Sequence, residues 1–326
     1  GNLTVNQSIN TQGGAGGVIS VSGGTINAAL IAGAGNITLN GGNPDLIINV
    51  AQSSATTMNL SATRDVIINA VVTTTGIGAD VLVTADSDAN GVGGVQVTAA
   101  GQIVSANEIV LKGSDLFVTM GSSDSIWIEA DGANDQLLAA GNITLQNQAT
   151  IPTTADILID GRIHSTGGDI VINARDGIFA KSAILADNGS VTFGRAVVLT
   201  GALQVTAGND VLFVKTVNDD GNAGTSSALN VTAAGTTTFT GAVGNVAALS
   251  SVVTNGGGIT EICGGSVTTT GVQVYADAVV LCANTTLTST SSGNIVFQNT
   301  VNGDGVADRS LIINTTGITD FQGAVG

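Results

Sequence analysis

Short runs in which every second residue is apolar recur from one end of the chain to the other. They include LIINV at 46–50, DVIINA at 65–70, VLVTA at 81–85, VQVTA at 95–99, EIVLK at 108–112, SIWIEA at 125–130, DILID at 156–160 and DIVINA at 169–174. The later ones include SVTFG at 190–194, LQVTA at 203–207, LNVTA at 229–233, VQVYA at 272–276 and IVFQN at 295–299. A period of two gives a strand one inward and one outward face. Val, Ile and Thr suit such a pleated, half-buried surface. Between the runs sit clusters of Gly, Asn, Asp and Ser, as in TQGGAGG at 11–17, SDANGVGG at 87–94 and NDDGNAG at 218–224. These residues supply turn conformations. No window holds apolar residues at helical spacing, and strong helix formers such as Glu, Lys and Arg are scarce. The pattern predicts an all-β chain.

A longer period selects among all-β architectures. The passage FVKTVNDDG beginning at Phe213 returns as FQNTVNGDG from Phe297, and FTGAVG from Phe239 returns as FQGAVG from Phe321. Smaller phrases recur too, LQVTAG with VQVTAAG and LNVTAAG, and AGNITLN at 34–40 with AGNITLQ at 140–146. A repeated unit that cannot bury its apolar face alone must stack on its neighbours. The expectation is a right-handed parallel β-helix (solenoid) of about 16 coils of roughly 20 residues, a rod about 75–80 Å long at the spacing of paired strands. Residues 1–200 read as irregular coils, and 201–326 as coils in imperfect ~83-residue repeats continuous with the first part. Pro44 and Pro152 read as turn residues, and no linker interrupts the pattern.

Composition agrees with a thin core: 46 Gly, 2 Pro and 3% aromatic residues in 326. The net charge of −16 comes from 24 Asp and Glu against 8 Lys and Arg, which excludes the clustered cations that nucleic-acid binding requires. No run of 18 apolar residues favours membrane insertion. No basic, apolar signal segment opens the chain at Gly1, so export implies a removed leader or a fragment. The chain stops partway through a repeat at FQGAVG, so the expectation is either further protein at the ends or copies stacking end to end.

The passage from Gly264 to Gly326, GGSVTTTGVQVYADAVVLCANTTLTSTSSGNIVFQNTVNGDGVADRSLIINTTGITDFQGAVG, resembles a repeat of very large secreted bacterial adhesins of the filamentous-haemagglutinin type. GNLTVNQSINTQGG, LSATRDVIINAVVTTTG and GGDIVINARDGI look like the shorter coils of the same family. The resemblance implies a right-handed β-helix in an extracellular or cell-surface fibre of a bacterium, often exported through a partner pore. It supplies no receptor. The functional expectation is a non-enzymatic structural and adhesive protein whose partners are further copies of itself and surface glycans. The alternative is a carbohydrate-binding or carbohydrate-cleaving β-helix.

Candidate chemistry is sparse. Cys263 and Cys282 are the only cysteines, and their spacing matches one coil; stacked coils bring such a pair within disulfide reach. The alternative is two small unpaired core residues. Two turns are partial calcium loops: Asp86, Asp88, Asn90 and Gly91 give a D-x-D-x-N-G opening, but Val97 stands where the bidentate acid belongs. Asn302, Asp304 and Asp308 form the second, with Thr300 at the place of the first Asp. Cofactors are thus none, or calcium. Nine N-x-S/T triplets mark Asn2, Asn6, Asn36, Asn59, Asn142, Asn188, Asn230, Asn284 and Asn314 as glycosylation candidates, against chance in so Asn- and Thr-rich a chain. Thr-rich stretches at 236–240 and 285–292 suggest outer ladders. The sole histidine, His164, reads as a solvated strand-end residue, Asp219 and Asp220 as turn residues, and no catalytic constellation converges. Trp127 reads as core packing, with a sugar-stacking platform as its other role, and Tyr275 is a lone strand aromatic.

Overall fold

A computed structural model describes residues 44–114, 124–130, 134–147 and 155–326, apart from 223, 225, 226 and 256, together with 4–5, 9–10, 19–22, 25–27, 29–32 and 36–40. The turn at 11–17, Pro152, Asn2 and Asn6 lie outside the described residues. Every described element is a strand, and every assigned pairing is parallel, so the protein is an all-β parallel β-solenoid of about 11 turns of ~23 residues. The expected 16 coils of roughly 20 residues give way to fewer, longer ones, because the turns take up more chain than the strand spacing suggests. Two compact units are present, Gly1–Gly177 and Ile178–Gly326.

In the first unit each coil contributes three short strands. Leu46–Ile48, Gln52–Ser54 and Met58–Ser61 make one coil; Val66–Ile68, Val71–Thr74 and Val81–Thr84 make the next. Each strand pairs with its counterpart a coil away, so three parallel ladders wall a narrow interior. Alternation decides what enters it. Leu46, Val66, Val95, Ile126 and Ile157 stack on one ladder, and Ile37, Met58, Val81, Ile109, Ile143 and Ile170 on another, all fully buried. Because like sits on like one strand spacing apart, small apolar side chains fill the core without large ones.

Coil length varies where the turns lie. The register step from Ile109 to Ile143 is nearly twice as long as the step from Ile19 to Ile37. Strands cannot lengthen without breaking the narrow cross-section, so extra residues leave as turns. Buried polar side chains hold those turns. Thr74 Oγ1 donates to Ala79 O at 2.9 Å, and the fully buried Asp65 accepts the Gly94 N–H at 3.0 Å. Buried polar groups are tolerated in this way only when hydrogen-bonded. Asn69 donates to Asn49 Oδ1 and Asn49 to Asn27 Oδ1, each at 2.8 Å, a ladder of amides across three coils.

The second unit keeps three ladders with more even steps, ranging only from that between Thr260 and Val279 to that between Val211 and Thr237. Two long strands, Gly177–Ala186 and Ala196–Ala207, pass a corner without leaving the ladder; the inward-outward alternation is interrupted at Ser182 and at Gly201 and resumes in the same phase. Ser182, with φ 79°, makes the first corner. The core carries aromatic ladders. Phe193, Phe213 and Phe239 stack at centroid distances of 4.7 and 5.2 Å. Tyr275, Phe297 and Phe321 stack at 5.2 and 4.8 Å. The long recurrence seen in the sequence thus aligns Phe213 with Phe297, and Phe239 with Phe321, as ring positions in two separate stacks.

Adjacent glycines show two different needs. Gly257 has φ +81° with open space around it, whereas a Cβ on Gly258 would lie 1.7 Å from Gly235 O. The first is there for conformation. The second is there because two coil backbones touch.

Candidate functional site

A group of ionisable side chains lies on the outer face of two successive coils of the first unit. Strands Asp124–Ile128 and Asp135–Ala139 belong to one coil, Asp156–Ile159 and Arg162–Ser165 to the next. Ile126 and Ile128 enter the core, so Trp127 between them faces outward, half-buried, in register with Leu158. This corrects the expectation of a core tryptophan. Three apolar residues in a row hide which one is outside; stacking on Val95 and Val97 decides it.

The Trp127 indole N–H donates to Asp160 Oδ2 at 3.3 Å. Two residues on, Arg162 is the register partner of Asp135, and its Nε lies 2.8 Å from Asp135 Oδ1, a close ion pair whose N–H is not aligned on the oxygen. His164 Nδ1 lies 3.2 Å from Asp135 Oδ2, with only 16% of its side chain exposed. The histidine is therefore engaged, not solvated, and three ionisable groups do converge. Nearby, Gln96 donates to Glu129 Oε1, and Glu129 Oε2 accepts the Ala99 N–H at 3.0 Å. The arrangement offers an aromatic face beside fixed hydrogen-bonding groups, the combination with which proteins grip a polar ring. Asp135 orients the imidazole through Nδ1, as a carboxylate orients a histidine elsewhere.

The residues singled out from sequence fall elsewhere. Cys263 and Cys282 form a disulfide, with 4.5 Å between Cα atoms. They follow the buried Ile262 and Leu281, and so stand half-exposed on the outer face. Asp86, nearly buried at φ 51°, accepts the N–H groups of Asn90 and Gly91 at 2.8 and 3.1 Å, while Asn90 Nδ2 donates to Asp88. The loop is closed by its own hydrogen bonds. Asp304 takes Nε and Nη2 of Arg309 at 3.1 and 2.6 Å, and Asn302 and Asp308 are exposed. The Arg309 hydrogen bonds hold the Asp304 carboxyl down at about 2, and the same contact raises Arg309. Asp219 and Asp220 each accept a backbone N–H two residues ahead, as turn carboxylates do.

Among the triplets, Asn36, Asn142, Asn188, Asn230, Asn284 and Asn314 are exposed, and Asn59 is half-buried. Asn142 donates to Glu108 Oε1 and Asn284 accepts the Ser310 N–H, so both amides tie neighbouring coils. Asn59 lines a shallow concavity on the outer face with Ser61, Leu82, Thr84, Val110 and Lys112. Tyr275 is fully buried; burial pushes its hydroxyl far above the usual phenol value, and it donates to Gln273 Oε1 at 3.0 Å. Arg64 clasps Asp45 through two hydrogen bonds of 2.8 and 2.6 Å, which raise its pKa.

The fold and outer face define the class: a parallel β-solenoid with a polar exterior. No protein-family model, curated protein or solved structure matches the chain.

Proposed function

We propose that this chain is a non-enzymatic structural and adhesive element of a bacterial cell surface or extracellular matrix, of the filamentous-haemagglutinin-like kind. The observation that carries the reading is the close-stacked solenoid. Each unit has ladders of short parallel strands, a narrow core of stacked apolar side chains and turns tied by side chains, a construction suited to stiffness and surface display. Outward Asn, Thr and Asp rows provide lateral contacts between copies, and backbone pairing between coils of different copies provides axial ones. The winding is right-handed, the hand that parallel β-crossovers favour. Negative-stain electron microscopy of native-source material, with and without a calcium chelator, tests the reading. Ordered fibres or sheets are expected; single short rods in both samples refute self-assembly, and loss of order on chelation brings calcium in as a lattice contact.

A second reading has one specific observation in its favour. Trp127 stands on the outer face with its indole N–H on Asp160, and on the next strands Asp135 holds Arg162 and His164, which fits a carbohydrate-binding or carbohydrate-cleaving surface. Glycan arrays with wild type and Trp127→Ala, joined to a reducing-end assay, separate the two. Selective binding that disappears in the variant favours the glycan surface. Turnover favours cleavage, and a response in neither assay favours the purely structural reading.

A further inference from the structure

The disulfide has a third neighbour. Glu261 precedes Cys263 by two residues and so projects from the same outer side of its coil, with the buried Ile262 between them. Its carboxylate and the two sulfurs all lie within 4.8 Å of one another, and all three side chains are half-exposed. Thr238, one coil earlier, donates its hydroxyl to Glu261 Oε2 at 2.9 Å and steadies the carboxylate. The backbone places the cysteines independently of the S–S bond. Cys263 N–H donates to Phe239 O and Cys282 N–H to Ile262 O, at 3.0 and 3.1 Å, while strand Ile259–Ile262 pairs in register with Ala278–Leu281.

We propose that Glu261, Cys263 and Cys282 form a redox-gated site for a thiophilic divalent cation of the zinc class. A dithiol or phosphine reductant supplies two electrons, and with two protons the S–S bond becomes two thiols. Binding of the cation then releases those two protons, giving a complex of two thiolates, one carboxylate and one water. Zinc bonds of about 2.3 Å to sulfur and about 2.0–2.2 Å to oxygen set tetrahedral ligand separations of ~3.7 Å, on the scale of the 4.8 Å within which these three ligand atoms lie. Oxidised, the same cysteines clip two coils together and leave the carboxylate without its sulfur partners. A soft thiolate pair selects zinc-like ions over calcium or magnesium. The inference rests on the coil geometry alone and stands apart from the adhesive reading.

The test is anaerobic titration with Co²⁺, used as an optical probe, of reduced and oxidised protein, followed by competition with Zn²⁺. Reduced wild type is expected to bind one ion per chain with thiolate-to-cobalt charge-transfer bands and the intense visible bands of a tetrahedral ion, bleached by Zn²⁺. The oxidised protein and Cys263→Ser/Cys282→Ser are expected to show neither. Glu261→Gln is expected to weaken binding by at least about 10-fold while keeping the sulfur bands. The proposal is overturned if the reduced protein shows no thiolate bands, if the double variant binds equally, or if Glu261→Gln changes nothing. Loss of the far-UV β-sheet signal on reduction overturns it too, because the site needs the coil frame; the double serine variant, monitored in parallel, separates that outcome from a general requirement for the disulfide.

Discussion

Replacing Phe213 by Ala removes the middle ring of the Phe193–Phe213–Phe239 stack. Phe213 is fully buried, and its neighbours sit 4.7 and 5.2 Å away with interplanar angles of 3° and 11°. A buried Phe→Ala change costs about 3–5 kcal/mol, from lost transfer energy and the cavity left behind. The upper half of that range is expected, because rings clamped by in-register ladders cannot close the gap. Stacked solenoids need not unfold in one step, so the assay is native-state hydrogen exchange at strands Val191–Phe193, Val211–Phe213 and Thr236–Phe239. At tenfold per ~1.4 kcal/mol, exchange there should quicken by roughly three to three and a half powers of ten. A double-mutant cycle with Phe193→Ala should return a coupling of about 0.5–1.5 kcal/mol for the ring pair. A loss below about 1 kcal/mol, or no coupling, would show that the stack is not a packed element and that the ladders alone hold these coils.

Reduction of the disulfide, or Cys263→Ser, should destabilise the second unit by about 3 kcal/mol on the loop-entropy estimate for a sequence separation of 19, measured as an exchange or denaturant shift against wild type. Asp304, held at about 2 against its ordinary 3.8, contributes stability that is complete above the unfolded value and is lost as pH falls toward 2. Arg309→Gln should return the carboxyl toward 3.8 in a carbon-13 NMR titration; an unchanged midpoint would refute the ion pair as the cause. Gly258→Ala should cost at least about 1–3 kcal/mol by overpacking against Gly235 O, whereas Gly257→Ala should cost about 1 kcal/mol for its left-handed backbone. Thermal melts of the two variants compare them directly, and equal melting points would refute the distinction.

What the sequence determined by itself was the class. Alternation over a few residues, bounded by Gly and Asn, specifies a strand and its two faces from local chemistry alone, and repetition forces such strands to stack. The one-coil spacing of Cys263 and Cys282 was legible for the same reason, since coils in the second unit are regular enough for a separation of 19 to mean one step. Tertiary structure decided which coil meets which residue. Turns absorb insertions without altering the strand pattern, so short and long steps look alike until the ladders are paired. The contact of Asp135 with Arg162 and His164 depends on such a step, and so does the outward side of Trp127, whose neighbours are as apolar as itself. Periodicity encodes inside and outside, because that is a property of each strand. Register is a property of the stack, set by summed turn lengths and by which buried columns fit, and only the folded coils reveal it.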